Sequence, residues 1–236
     1  FTTNQYLTQK FIRIKLKEIN RMEVPKVKKT VYLTSKQDGL KLHVLLMEPE
    51  EEPKGIVQIV HGMAEHKERY EPFMEMLCKQ GYISIIHDHR GHGKSIRAKE
   101  DLGYFYDESG KAIVEDVHQI TQWAKDRYGE MPYHLFGHSM GSLVVRCYLK
   151  KYDNELDSLI ICGSPSENKA AKAATLLAKA ACKIRPHKRG DFFQKLAFGL
   201  YGKILEEGES ENGWISYNKE NVKAYDENPL DGFVFS

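Results

Sequence analysis

With 236 residues, 41% of them hydrophobic and 29% charged, the chain has the composition of a soluble globular protein and the length to bury one sizeable core. No run approaches the ~20 apolar residues of a membrane span, and residues 1–21 lack the ~7–15 apolar residues of a secretory signal, so a cytoplasmic location is expected. The net charge of +2 hides a basic start: residues 1–30 carry eight Lys/Arg against two Asp/Glu, and the remainder is net acidic. A basic arm can meet acidic lipid head groups, which allows peripheral membrane contact at most. A plain solvated tail explains the same charge, and without interleaved aromatics nucleic acid is not expected. Cys78, Cys147, Cys162 and Cys182 are widely spaced with no C-x-x-C pair. They suggest neither disulfides nor zinc, and those in apolar patterns are expected to act as small hydrophobes.

Residues 1–21 look foreign to the rest of the chain. The sequence opens on Phe1, whereas Met22-Glu23-Val24-Pro25 makes a natural start, so this stretch is expected to be an extension of doubtful origin. Between Lys28 and Met47 two strand-like runs flank Lys36-Gln37-Asp38-Gly39, and Asp-Gly signals a hairpin. Residues 55–60 form a continuous apolar run, as in a central strand buried on both faces, and lead into His61-Gly62-Met63-Ala64-Glu65-His66. Phe73, Met76 and Leu77 fall at helical spacing before Gly81. Residues 82–86 read as the next strand, running into the glycine-rich loop Asp88-His89-Arg90-Gly91-His92-Gly93-Lys94-Ser95. Ile113, Val117, Ile120 and Ala124 mark one face of a helix that Gly129 and Pro132 end.

The centre of the pattern is Gly137-His138-Ser139-Met140-Gly141, with a short apolar strand over 133–136 before it and a helix over 142–149 after it. A serine on such a strand-to-helix bend is a nucleophile elbow: the residue is strained so that its hydroxyl projects from the sheet. Its neighbours two positions away must lack side chains for strand and helix to close up. The helix start then offers free N–H groups and a positive dipole end. A further strand is predicted over 158–162. Strands alternating with helices imply a parallel α/β sheet, whose working groups gather at strand carboxyl ends. His61-Gly62, Asp88-His89 and Ser139 all fall there. After Gly163-Ser164-Pro165 the pattern turns helical, over 170–184, 192–205 and a short stretch at 222–225. A helical insertion after a strand end is expected to lie over the sheet as a lid; ordinary packing helices are the plainer alternative.

The three motifs, His61 to His66 followed by Arg69-Tyr70, Asp88 to Ser95, and Gly137 to Gly141, together resemble the monoacylglycerol lipase and lysophospholipase branch of the α/β-hydrolases, whose domain is often labelled serine aminopeptidase. The resemblance runs from about Lys28 to Ser236. It implies an α/β-hydrolase core over 22–166 with a mostly parallel sheet, a helical cap over 167–236, no cofactor, no metal, and hydrolysis of lipid-like carboxylic esters. Residue by residue, Ser139 matches the nucleophile, and the backbone N–H groups of Met63 and Met140 match the oxyanion hole. In this family the acid and the histidine follow the cap, on two further strands. Neither is expected in this chain; both are expected after Ser236, which makes the stretch an incomplete hydrolase, inactive alone. His187, the only histidine after Ser139, sits in a polar turn and is a poor candidate for the base. His61, His66, His89, His92 and His138 are expected to brace loops rather than bind zinc. Two other functions fit the same residues: a catalytically silent α/β-hydrolase that binds a hydrophobic ligand, and a serine aminopeptidase. Oligomeric state is not legible.

Overall fold

The computed structural model describes residues 27–166, 175, 190 and 210–235. Among them, six strands form one sheet in the order β1-β2-β4-β3-β5-β6. The strands are β1 (Val27–Thr34), β2 (Lys41–Glu48), β3 (Ile56–Val60), β4 (Ile83–His87), β5 (Tyr133–His138) and β6 (Ser158–Cys162). The α-helices among the described residues are α1 (Glu71–Lys79), α2 (Ala112–Tyr128), α3 (Met140–Tyr152) and α4 (Lys219–Glu227). The predicted hairpin is β1–β2, paired from Val27 with Glu48 to Thr34 with Lys41, and Gly39 takes φ +76° in its turn. β2 is antiparallel to β4; the pairings of β4 with β3, β3 with β5 and β5 with β6 are parallel.

Every residue of β3 and β4 is buried; for β3 this is what the run over 55–60 predicts. The two faces of the sheet have separate cores. Leu42, Val44 and Leu46 of β2 pack with Ile120 and Ala124 of α2, while Leu45 and Met47 pack with Met74 and Cys78 of α1. Alternation along one strand thus feeds two layers. Val144, Val145 and Tyr148 of α3 join Val117 of α2 against Val60 and Leu135. Gln58 is the polar exception inside β3. Its amide donates to the Val117 carbonyl at 3.0 Å and accepts from Thr121 and Tyr133 hydroxyls at 2.7 and 2.6 Å, so both its nitrogen and its oxygen have partners.

Helix α3 begins at Met140, two residues before the predicted start, because the chain turns helical directly after Ser139. Cys78 is buried as expected, but Cys147 and Cys162 are exposed. Cys147 lies on the outer face of α3. Cys162 lies on β6, the last strand of the described sheet, where Ile160 and Ile161 are also 45% and 46% exposed. The predicted helices over 170–184 and 192–205, Cys182, His187 and residues 1–21 fall outside the described residues. The short helix predicted around 222–225 is α4, capped by Asn218, whose side-chain oxygen accepts the Glu220 N–H at 2.9 Å. No described helix is long and apolar enough to cross a membrane.

Candidate active site

Ser139 sits between β5 and α3 at φ 52°, ψ −118°. That region is nearly closed to residues with a side chain and costs about 1–3 kcal/mol, so surrounding bonds must hold it. The Ser139 N–H donates to the Cys162 carbonyl of β6 at 3.0 Å, and its own carbonyl accepts the Ser142 N–H at 3.0 Å and the Ser142 hydroxyl. The two flanking glycines are needed for space. A Cβ on Gly141 would strike the Val60 and His61 carbonyls, and one on Gly137 would lie 2.6 Å from Val145 Cγ2. Ser139 itself is half-buried, and among the described residues nothing hydrogen-bonds to its Oγ.

The loop after β3 lies against this bend. A Cβ on Gly62 would sit 3.2 Å from Ser139 Cβ and 2.6 Å from Glu65 Oε1. Met63 and Met140 are both half-buried, and neither N–H has a partner among the described residues. Met140 is the first residue of α3, where backbone N–H groups are unpaired by the geometry of a helix. Glu65 closes the loop: its carboxylate accepts the Gly62 N–H and, at 2.8 Å, the Tyr70 hydroxyl. Tyr70 Oη also lies 3.0 Å from His138 Nδ1, and Arg69 stands 3.6 Å from Glu65. Burial pushes the Glu65 carboxyl up, but contact with His138 and the nearby His61, Arg69 and Tyr70 outweigh it and bring it down to about 2.

The histidines brace loops. His61 Nε2 accepts the His89 N–H at 3.0 Å, which leaves Nδ1 to donate to the Gly62 carbonyl at 2.8 Å. His89 Nε2 donates to the His61 carbonyl at 3.1 Å, locking the ends of β3 and β4 together. His92 Nε2 accepts the Ala64 N–H at 3.3 Å. Burial lowers the pKa of His61 and His89, and pushes His87 and His92 down to about 3. Beneath them Asp88 accepts the Lys67 N–H and ammonium, each at 2.8 Å, and the Lys94 N–H at 2.9 Å. Among the described residues no group of three or more His, Cys, Asp or Glu is arranged to hold a metal ion.

Sequence reasoning puts Ser139, Met63 and Met140 in one region, and the structure brings their loops together. It assigns no role to Glu65 or Tyr70. The signal for Glu65 is a carboxylate three residues after Gly62 in a loop too short to satisfy its own amides. Nor does it find Asp231, which bonds to His66 across 165 residues and leaves no local trace.

A sheet of this order, with helices on both faces and a strained serine between strand and helix, defines an α/β-hydrolase fold. A highly thermostable carboxyl esterase from Bacillus coagulans, solved in complex with glycerol, shares it with a TM-score of 0.81 and 26% identity, covering 89% of this chain and 68% of that one. The chain belongs to the family described as serine aminopeptidase, S33, which matches residues 51–234. The monoglyceride lipase of Rattus norvegicus is 28% identical over 193 residues, 82% of this chain and 57% of the relative. The monoacylglycerol lipase of Mycolicibacterium smegmatis is 30% identical over 128 residues, 53% of this chain and 43% of the relative. The chain spans about half the length of the curated relatives it matches.

Proposed function

We propose that the protein is a serine hydrolase of lipid-like carboxylic esters, of the monoacylglycerol or lysophospholipid kind, working through an acyl-enzyme on Ser139. The observation that carries this reading is the backbone of Ser139: strain at φ 52° is retained where a hydroxyl must project beside a helix start. In the proposed reaction Ser139 Oγ bonds to the ester carbonyl carbon, and its proton passes to a general base. The carbonyl oxygen becomes an oxyanion, which the N–H groups of Met63 and Met140 receive; such preorganised donors are worth about 3–4 kcal/mol each. The intermediate collapses, the alcohol leaves with a proton, and water then frees the acid from Ser139. The family resemblance implies a histidine as that base, with a carboxylate as its acid. Side-chain identity matters little for a backbone donor, so methionine serves at 63, where it narrows the acyl site.

The family's description names a peptidase, whereas relatives called monoglyceride lipase and lysophospholipase favour esters. The intact protein, given monoacylglycerol, lysophospholipid and an amino-terminal proline anilide, tests both. Hydrolysis of one of the lipids, abolished by Ser139→Ala, supports the proposal. Cleavage of the anilide alone supports the peptidase, and a folded protein inert to all three supports the silent form.

A further inference from the structure

The last described segment is fastened onto the loop that carries Met63. Ala64 in that loop has φ +51°, an uncommon value for a residue with a side chain, and strain of this kind persists only where neighbours over-determine it. Three bonds do so. The Ala64 N–H donates to His92 Nε2, and the Ala64 carbonyl accepts the Gly232 N–H at 2.9 Å and the Tyr225 hydroxyl at 3.0 Å. Beside them His66 Nδ1 lies 2.7 Å from Asp231 Oδ1, with the Asp231 side chain almost wholly buried. Asn228 Nδ2 lies 3.4 Å from His66 Nε2, Arg69 covers the Tyr225 ring at 4.6 Å, and Phe233 meets the His92 ring at 5.0 Å. Residues 231 and 232 therefore make two adjacent rungs, to 66 and to 64, that bracket the stretch just after Met63.

We propose that Asp231, acting through His66, is a positioning residue: the bond between them seats Gly232 on Ala64 and so aims the Met63 N–H at the oxyanion site. The inference rests on the ester-hydrolase reading above. Asp231 touches no reacting atom in it. Its effect passes along the backbone, where a shift of about 1 Å in a donor costs on the order of a hundredfold in rate.

The test compares the intact protein with Asp231→Ala, Asp231→Asn and His66→Ala, measuring ester kinetics and amide exchange over residues 62–66. Ile120→Val, in the core of α2, controls for general loosening. Removing the bond from either side is expected to lower kcat at least tenfold with KM within about threefold, and to speed exchange of the loop amides at least tenfold. Asp231→Asn keeps an oxygen that accepts the His66 Nδ1–H and is expected to retain kcat within about threefold. Normal loop exchange in Asp231→Ala, or in His66→Ala where Asp231→Ala does not fold, overturns the inference. So does a raised KM at unchanged kcat, or a loss in Asp231→Asn as deep as that in His66→Ala. If the wild type hydrolyses no ester, the functional reading fails, while the exchange data still decide whether Asp231 holds the loop.

Discussion

Ser139 and Glu65 carry opposite burdens. Ser139 is strained, and its strain is held by β6 on one side and by Ser142 on the other. Glu65 is relaxed and does the holding, with two donors on one oxygen and Arg69 on its flank. Removing that carboxylate strands the buried Gly62 N–H. Glu65→Ala is therefore expected to lose about 1–3 kcal/mol in chemical denaturation, with Glu65→Gln losing less because it keeps an acceptor oxygen. Equal loss in both variants would show that charge, not the Gly62 bond, is what Glu65 contributes. Ser139 was legible as a residue type in a glycine frame. Glu65 stands in a motif that was equally visible, yet its role needed the fold of the loop, since nothing in residue order says which amide a carboxylate will reach.

At the scale of elements, the approach of α3 to β3 sets the site. A Cβ on Gly141 has nowhere to go but into backbone carbonyls, which cannot rotate aside as a side chain would. Gly141→Ala is expected to cost more than about 3 kcal/mol, a thermal shift of about 6–12 °C for a domain of this size, and to abolish reaction of Ser139 with a fluorophosphonate. Gly110 has φ +69° but open space around it, so Gly110→Ala bears only backbone strain of about 1 kcal/mol. Similar melting temperatures for the two variants would refute the close-contact account. The elements themselves were largely readable. β3 announces itself as an apolar run because both its faces are covered, and α2 through the spacing of Ile113, Val117, Ile120 and Ala124. The exposure of Cys147 and Cys162 was not readable, because an apolar pattern reports what a strand or helix can bury and not which neighbour is present. The fastening of residues 225–235 onto Ala64 and His66 was out of reach for the same reason: it joins positions about 160 apart through single bonds.

Across the whole molecule, the buried histidines make stability depend on pH. His87 and His92 titrate near 3 in the fold against about 6.5 in the open chain, so the unfolded state binds more protons between those values. Their contribution is full above about pH 6.5 and is lost as the pH falls towards 3, at about 1.4 kcal/mol per pH unit for each group. Glu65 acts in the same sense lower down: its contribution is present above its ordinary 4.5 and is lost as the pH falls towards 2. His66 works against them. Burial lowers it, but Asp231 raises it further, so the stability it adds is present at low pH and lost as the pH rises through its folded value. The denaturant midpoint is expected to fall from pH 6.5 downwards. Neither ring nitrogen of His87 has a hydrogen-bond partner among the described residues. His87→Leu is therefore expected to keep full stability at pH 7 and to lower the acid slope by about one proton. A midpoint flat from pH 7 to pH 5 would contradict the neutral burial of these rings.

The proposed ester hydrolysis requires the Ser139 hydroxyl to be a reachable, activated nucleophile. The most direct test is to treat the intact protein with a fluorophosphonate and map the adduct by peptide mass spectrometry. One phosphonate on Ser139, absent in Ser139→Ala and blocked by prior incubation with a long-chain ester, is the predicted result. A folded, intact protein that leaves Ser139 unmodified, or takes the label elsewhere, would contradict it.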